Sequence, residues 1–406
     1  MMNIKNVNKI LTDTAYPRIG GTPSEKAGAD YLICACNALG LTARLQSFPR
    51  TLFTVTTETL TADGRQIPCS GYYGSACGTV EGAFYYLQGT DAASLKKCKD
   101  KIVLTDKALD YKLYDLLTAN GAKGCITYSG NVQFPNRDLE RREIRFTVPN
   151  NTKLPAVHIH SADAIALVKS GCKRCCLTVA QTPYPAQSWN VVLDLPGKSQ
   201  ETVTISAHYD STTLSNGAYD NMSGCIVLLY LAEYFSRHPH RRSIRLLWCG
   251  SEESDLVGSL AYCRDNDLEN TVLNINLGML GCVMGEFTAF SCADEKMQVA
   301  LGAFLKKHRI AGSVRYGIRA SDSNSFAYYG VPAVSFARYA PACTATIHTR
   351  YDTKETISAK QLLADANYIL KFTDWVVNTP NLSYCVSLKI KESVDAYMER
   401  KLWLQE

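Results

Sequence analysis

Four polar clusters in the chain combine residue types that bind metal ions or move protons. His208-Tyr-Asp210 pairs an imidazole, which can ligate a metal, with a carboxylate able to take the other ring N–H and fix the tautomer. Gly217-Ala-Tyr-Asp220-Asn-Met-Ser-Gly224 reads as a turn opening a helix. There Asp220 is suited to bridging two ions, and Asp220 or Asn221 to capping the helix. Ser251-Glu252-Glu253 sets two adjacent carboxylates pointing in different directions, so one can bind metal while the other takes a proton from water. His348-Thr-Arg-Tyr-Asp352 supplies a late imidazole, with an aspartate that supports it or shapes its loop.

Each cluster alone has an ordinary structural explanation; their placement groups them. From Asn190 onward apolar runs alternate with helical patterns. Val191–Leu195, Thr202–Ala207, Ile244–Cys249, Val272–Leu277 and Pro332–Phe336 read as strands. Ser223–Phe235, Gly258–Arg264, Lys296–His308 and Ser323–Tyr329 read as helices between them. Such alternation predicts an α/β fold, a mainly parallel mixed sheet sandwiched by helices. His208, Glu252 and, after a loop, His348 all follow predicted strands, and the carboxyl ends of strands form the ligand crevice of open α/β sheets. Arg338 and Tyr339, on the loop expected before His348, are candidate substrate-pocket residues.

Upstream, residues 24–39 read as a helix with Ser24 as N-cap and Gly40 as stop. From about residue 51 the pattern turns β-rich, with strands over Thr51–Leu60, Lys101–Thr105, Gly124–Tyr128 and Leu154–Ile159 and a helix over Leu113–Asn120. His158 and His160 share a face of the last strand without a third ligand nearby, so they read as core or solvent-facing histidines. Residues 386–406 read as a charged helix. The length, 406 residues, suits two domains. The expected division is 1–50 with 185–406, interrupted by 51–184.

The net charge of +5 is small, and the densest basic stretch, Arg237 to Arg245, runs into an apolar strand without aromatic interleaving; no nucleic-acid partner is expected. No apolar run reaches the ~18 residues a membrane span needs. The N-terminus lacks a signal-peptide pattern, so a cytoplasmic location is expected, with the sixteen cysteines reduced. Cys172, Cys175 and Cys176 begin like a zinc motif but lack a second half. Association with another copy of the chain is left open.

HYDS, GAYDNMSG, SEES-x-x-x-GS and the late IHT-x-x-DT resemble the signature of the aminopeptidase Y and bacterial leucyl aminopeptidase family of zinc exopeptidases. The likeness runs from Ser188 to Leu362, with Ser321-Asp322 and Phe326 in place, and Arg18 to Thr22 resembles the family's N-terminal segment. The 51–180 region, with KIVL, GAKGCITY and LPAVHI, is similar to a protease-associated domain. The resemblance implies a zinc peptidase acting on peptides, with two zinc ions. His208 would bind one ion and His348 the other. Asp220 would bridge them, Glu253 would join His348's ion, Glu252 would be the general base and Asp210 would orient His208. Gly278 stands where the family's Asn-x-Asp-Met-x-Gly stretch carries an aspartate ligand, so the His208 ion would be weak or absent. Three readings follow: a single-zinc enzyme, as in the related glutaminyl cyclases; a binding-only member; or a replacement in a once dinuclear enzyme.

Overall fold

The computed structural model describes residues 2–144, 154–342 and 344–402. Met1–Arg50 with Ala186–Met398 forms one compact unit and Thr51–Pro185 another.

In the first unit the strand order is Gly312–Tyr316, Glu286–Cys292, Ala333–Tyr339, Thr271–Leu277, Ser199–His208, Arg242–Cys249, then the end of Arg174–Leu195. The four strands from Ala333–Tyr339 to Arg242–Cys249 run parallel. Glu286–Cys292 and the Val191–Leu195 stretch pair antiparallel at either side. The central strands bury consecutive side chains, Val203 through His208 among them, because helices cover both faces. Helix Ser223–Phe235 is apolar almost all round and accordingly buried.

Several boundaries move. The helix predicted over 24–39 is Pro23–Ala38, with Thr22 rather than Ser24 as N-cap. Proline's fixed φ and missing N–H suit the first helical position, so the helix starts there. The strand expected to stop at Phe336 continues to Tyr339, through hydrogen-bonded register with Glu286–Thr288. Helix Ile4–Asp13, strands Glu286–Cys292 and Gly312–Tyr316 and the twenty-residue helix Ala359–Asn378 are additional.

The second unit places Lys101–Thr105 between the parallel strands Gly78–Leu87 and Gly124–Ser129, followed by Ala156–His160. The hairpin Leu60–Ile67 adds an antiparallel pair. His158 and His160 are both buried. His158 lies 2.8 Å from the Thr127 hydroxyl and 2.7 Å from that of Ser129, and His160 Nδ1 accepts from Ala162 N at the start of helix Ser161–Lys169. Burial, helped by Arg142, holds His158 down at about 3, so it is neutral. Cys172 and Cys175 sulfurs approach to 3.8 Å, but neither joins a donor group among the described residues. The charged tail forms helix Leu388–Leu402; residues 403–406 lie outside the described ones. No helix among the described residues is long and apolar enough to cross a membrane.

Candidate metal centre

Strand register brings the predicted donors together. Cys249 is level with His208 on adjacent parallel strands, so the Ser251–Glu253 turn emerges beside His208. On the other flank Asn276 pairs with Ser206, and continuing that register sets Gly278 level with His208.

Two donor groups result, His208 with Glu252 and Glu253, and Asp220 with Glu253 and His348. Asp220 faces both imidazoles, Oδ1 at 3.1 Å from His208 Nε2 and Oδ2 at 3.3 Å from His348 Nε2. Glu253 Oε2 lies 3.0 Å from His348 Nε2, and Glu252 Oε2 lies 3.9 Å from His208 Nε2.

Buried hydrogen bonds aim these groups. Asp210, fully buried, accepts from the backbone N–H of Glu252 at 3.0 Å and of Glu253 at 3.1 Å, with Oδ1 3.5 Å from His208 Nδ1. One carboxylate thus fixes the turn carrying both glutamates and faces the histidine. Asp352 accepts from Tyr219 N at 2.7 Å and Asp220 N at 3.1 Å, so it shapes the Asp220 loop. Asn221 ties that loop to the Gly278 strand end, donating to Leu277 O and accepting from Met279 N.

Two supports had no sequence signal beyond the N-terminal turn. Glu25 is fully buried and accepts from Ser251 N at 2.9 Å, Ser188 Oγ at 2.7 Å and Gly21 N at 2.8 Å. Ser251 has a positive φ of 52°, a costly conformation for a side-chain residue that these bonds hold in place. A Cβ at Gly20 would fall 2.3 Å from Ser251 Oγ, so only glycine lets the segment approach the turn. Arg18, also fully buried, donates to the carbonyls of Thr14, Tyr16, Tyr209, Asn216 and Gly217. It closes the His208–Gly217 loop.

The electrostatics are those of a site short of positive charge. Burial lowers the His348 pKa, but hydrogen bonds to Asp220 and Glu253 carry it up to about 11. Burial raises Glu252 well above the carboxylate range; His208 opposes this, while Asp322, Glu253 and Asp210 add to it. Burial and Asp210 push Glu25 up to about 8, against its hydrogen bonds.

Arg338 sits on the strand and not on the loop before His348. Its guanidinium is held by Asp365 at 2.7 Å and by Gly285 O at 2.8 Å, in a largely buried ion pair. Tyr339 instead stacks against Arg319. Around Gly278 a Cβ would meet no atom within 4 Å.

Residues 190–373 match the model described as "Peptidase family M28". Aminopeptidase YwaD of Bacillus subtilis (strain 168) is 29% identical over 289 residues, 67% of this chain. The chain spans 60% of that relative's length. The solved structure of BSAP, a zinc aminopeptidase from Bacillus subtilis, superposes with a TM-score of 0.78 at 23% identity, covering 94% of this chain and 97% of that one. A Porphyromonas gingivalis glutaminyl cyclase structure gives 0.51 at 13% identity, covering 92% of this chain and 99% of that one. The matched stretch holds His208, Asp220, Glu252, Glu253 and His348, so both donor groups lie in the part of the chain that is similar to peptidase family M28.

Proposed function

We propose that this chain is a zinc-dependent aminopeptidase that removes N-terminal residues from peptides, with Glu252 as general base. The carrying observation is the Glu252–Glu253 pair. Because Asp210 fixes both main-chain N–H groups, Glu253 joins the His348–Asp220 donors while Glu252 stays beside His208.

The residues fit zinc. Asp220, Glu253 and His348 give three nitrogen and oxygen donors, the number that catalytic zinc takes from protein. That a proton is retained between them up to about 11 marks the set as one that seeks a cation. Bound there, zinc supplies Lewis acidity toward a scissile carbonyl and acidifies water.

Glu252 accepts the proton of the attacking water at its carboxylate and returns it to the leaving amine. Asp210 keeps the base aimed by its bonds to the turn. On the His208 side Gly278 contributes no side chain, so His208 and Asp220 hold a second cation weakly. The described cysteines are all unpaired, in keeping with a reducing, cytoplasmic setting. We read the Thr51–Pro185 unit as a protease-associated module adding no catalytic group, since both donor groups lie in the other unit.

The test is hydrolysis of aminoacyl p-nitroanilides, with zinc or cobalt, alongside N-acetylated counterparts. Turnover of the free-amine substrates alone is expected. No turnover with any residue or metal would overturn the reading, and ammonia release from N-terminal glutamine peptides would replace it with a glutaminyl cyclase.

A further inference from the structure

The loop between strand Gly312–Tyr316 and helix Ser323–Tyr328 carries an arginine for which the peptidase chemistry gives no role. Arg319 is exposed, and its guanidinium carbon lies 4.1 Å from the centre of the Tyr339 ring and 5.7 Å from that of Phe290. The two rings meet edge-on, 5.9 Å apart, forming an aromatic corner on which the planar cation rests. Among the described residues no carboxylate pairs with Arg319, whereas the neighbouring Arg315 faces Glu286 at 3.6 Å.

This corner adjoins the metal centre. The Tyr219 hydroxyl donates to Arg338 O at 2.5 Å and accepts from Ala340 N at 3.1 Å, clamping the backbone on both sides of Tyr339 to the residue before Asp220. Along the strand Arg338 turns to Asp365, so Tyr339 presents the opposite face. Asp220's charge is felt at the Tyr339 phenol, which burial raises to about 12. Three residues past Arg319, Asp322 is buried within electrostatic reach of His208.

A guanidinium held flat on aromatic rings, with its N–H edge unclaimed, is arranged to receive a planar anion in two parallel hydrogen bonds. We propose that Arg319, seated on Tyr339 and Phe290, is a specificity-determining residue that receives a substrate carboxylate beside the scissile bond. This rests on the aminopeptidase reading. The carboxylate has two chemical sources, the side chain of an acidic N-terminal residue or the free C-terminus of a dipeptide.

The experiment compares pairs differing in that one group. For the first source the pair is glutamyl and glutaminyl p-nitroanilide; for the second it is Leu-Gly and Leu-Gly amide. Values of kcat/KM are measured for the zinc-loaded chain and for Arg319→Ala and Arg319→Lys. In at least one pair the carboxylate-bearing member is expected to be favoured about tenfold, the size of a charged hydrogen-bond contact. Arg319→Ala should bring that ratio to near one, with Arg319→Lys between. Ratios cancel any general damage from the substitution. No preference in either pair, or a preference that survives Arg319→Ala, overturns the inference. If Leu p-nitroanilide and all four substrates resist turnover, the aminopeptidase reading fails. The inference is then decided by calorimetric binding of Leu-Gly against its amide, and of glutamic acid α-amide against glutamine α-amide. Equal binding within both pairs overturns it.

Discussion

Replacing Glu25 by glutamine reads out the carboxyl buried beneath the Ser251–Glu253 turn. The folded carboxyl is raised from 4.5 to about 8, chiefly by burial and then by Asp210. A raised acid contributes stability that is full below the unfolded value and is lost as pH rises through the folded one. The window is therefore about 4.5 to 8. A shift of that size corresponds to roughly 5 kcal/mol in total. Glu25→Gln keeps the shape and one acceptor oxygen but never ionises. Its amide nitrogen takes the place of an oxygen, Oε2 accepting from Gly21 N, so below pH 5 the variant should be weaker by about 1–2 kcal/mol. By pH 8 the sign should reverse, because only the native chain has lost the contribution. At roughly 2 °C per kcal/mol for a unit of this size, the difference in Tm should swing by up to about 10 °C. The assay is calorimetry of the metal-free protein in chelator at pH 5, 6.5 and 8. A Tm difference independent of pH would refute the reasoning.

Glu252→Gln should lower kcat by about 10²–10⁴ while bound zinc, measured by elemental analysis, stays constant; loss of zinc would make Glu252 a ligand instead. Gly278→Asp should fold normally, since a Cβ there meets nothing within 4 Å, and should raise metal content from one to two ions per chain. An unchanged stoichiometry would mean that the register argument setting Gly278 level with His208 fails. In the second unit His158 is held at about 3 against a usual 6.5, a depressed value whose contribution is present above 6.5 and lost as pH falls. Between pH 6.5 and 3 that unit should lose up to about 5 kcal/mol, and His158→Asn should flatten the acid limb seen by hydrogen exchange of residues 101–129.

The α/β fold and the coming together of His208, Asp220, Glu253 and His348 were legible because parallel strands announce themselves as unbroken apolar runs ending in polar residues. Thr202–Ala207 before His208 and Ile244–Cys249 before Glu252 are such runs. The strand Gly312–Tyr316 was not, for it is a short sheet edge with half-exposed residues. Helix Ala359–Asn378 was missed although Ser358 accepts from Gln361 N at 3.2 Å, a cap written as Ser-x-x-Gln. Glu25 was illegible for a different reason. A glutamate in the first turn of a helix normally reads as a solvated dipole partner, and only tertiary contact shows that it meets Ser251. Arg338 was misplaced because a loop was assumed where pairing with Phe287 extends the strand.

The centre draws on both ends of its unit, with Glu25 before the Thr51–Pro185 unit and His348 far after it. During synthesis at about 5–20 residues per second, Glu25 leaves the ribosome roughly 15–65 s before His348. Through that interval the turn, the loop and the imidazoles lack partners that are not yet made. The Asp220–Glu253–His348 group stays incomplete until His348 is made, and the intervening unit can fold while its host waits. On the aminopeptidase reading, the three-donor set is therefore completed late, and a fragment released early would lack it.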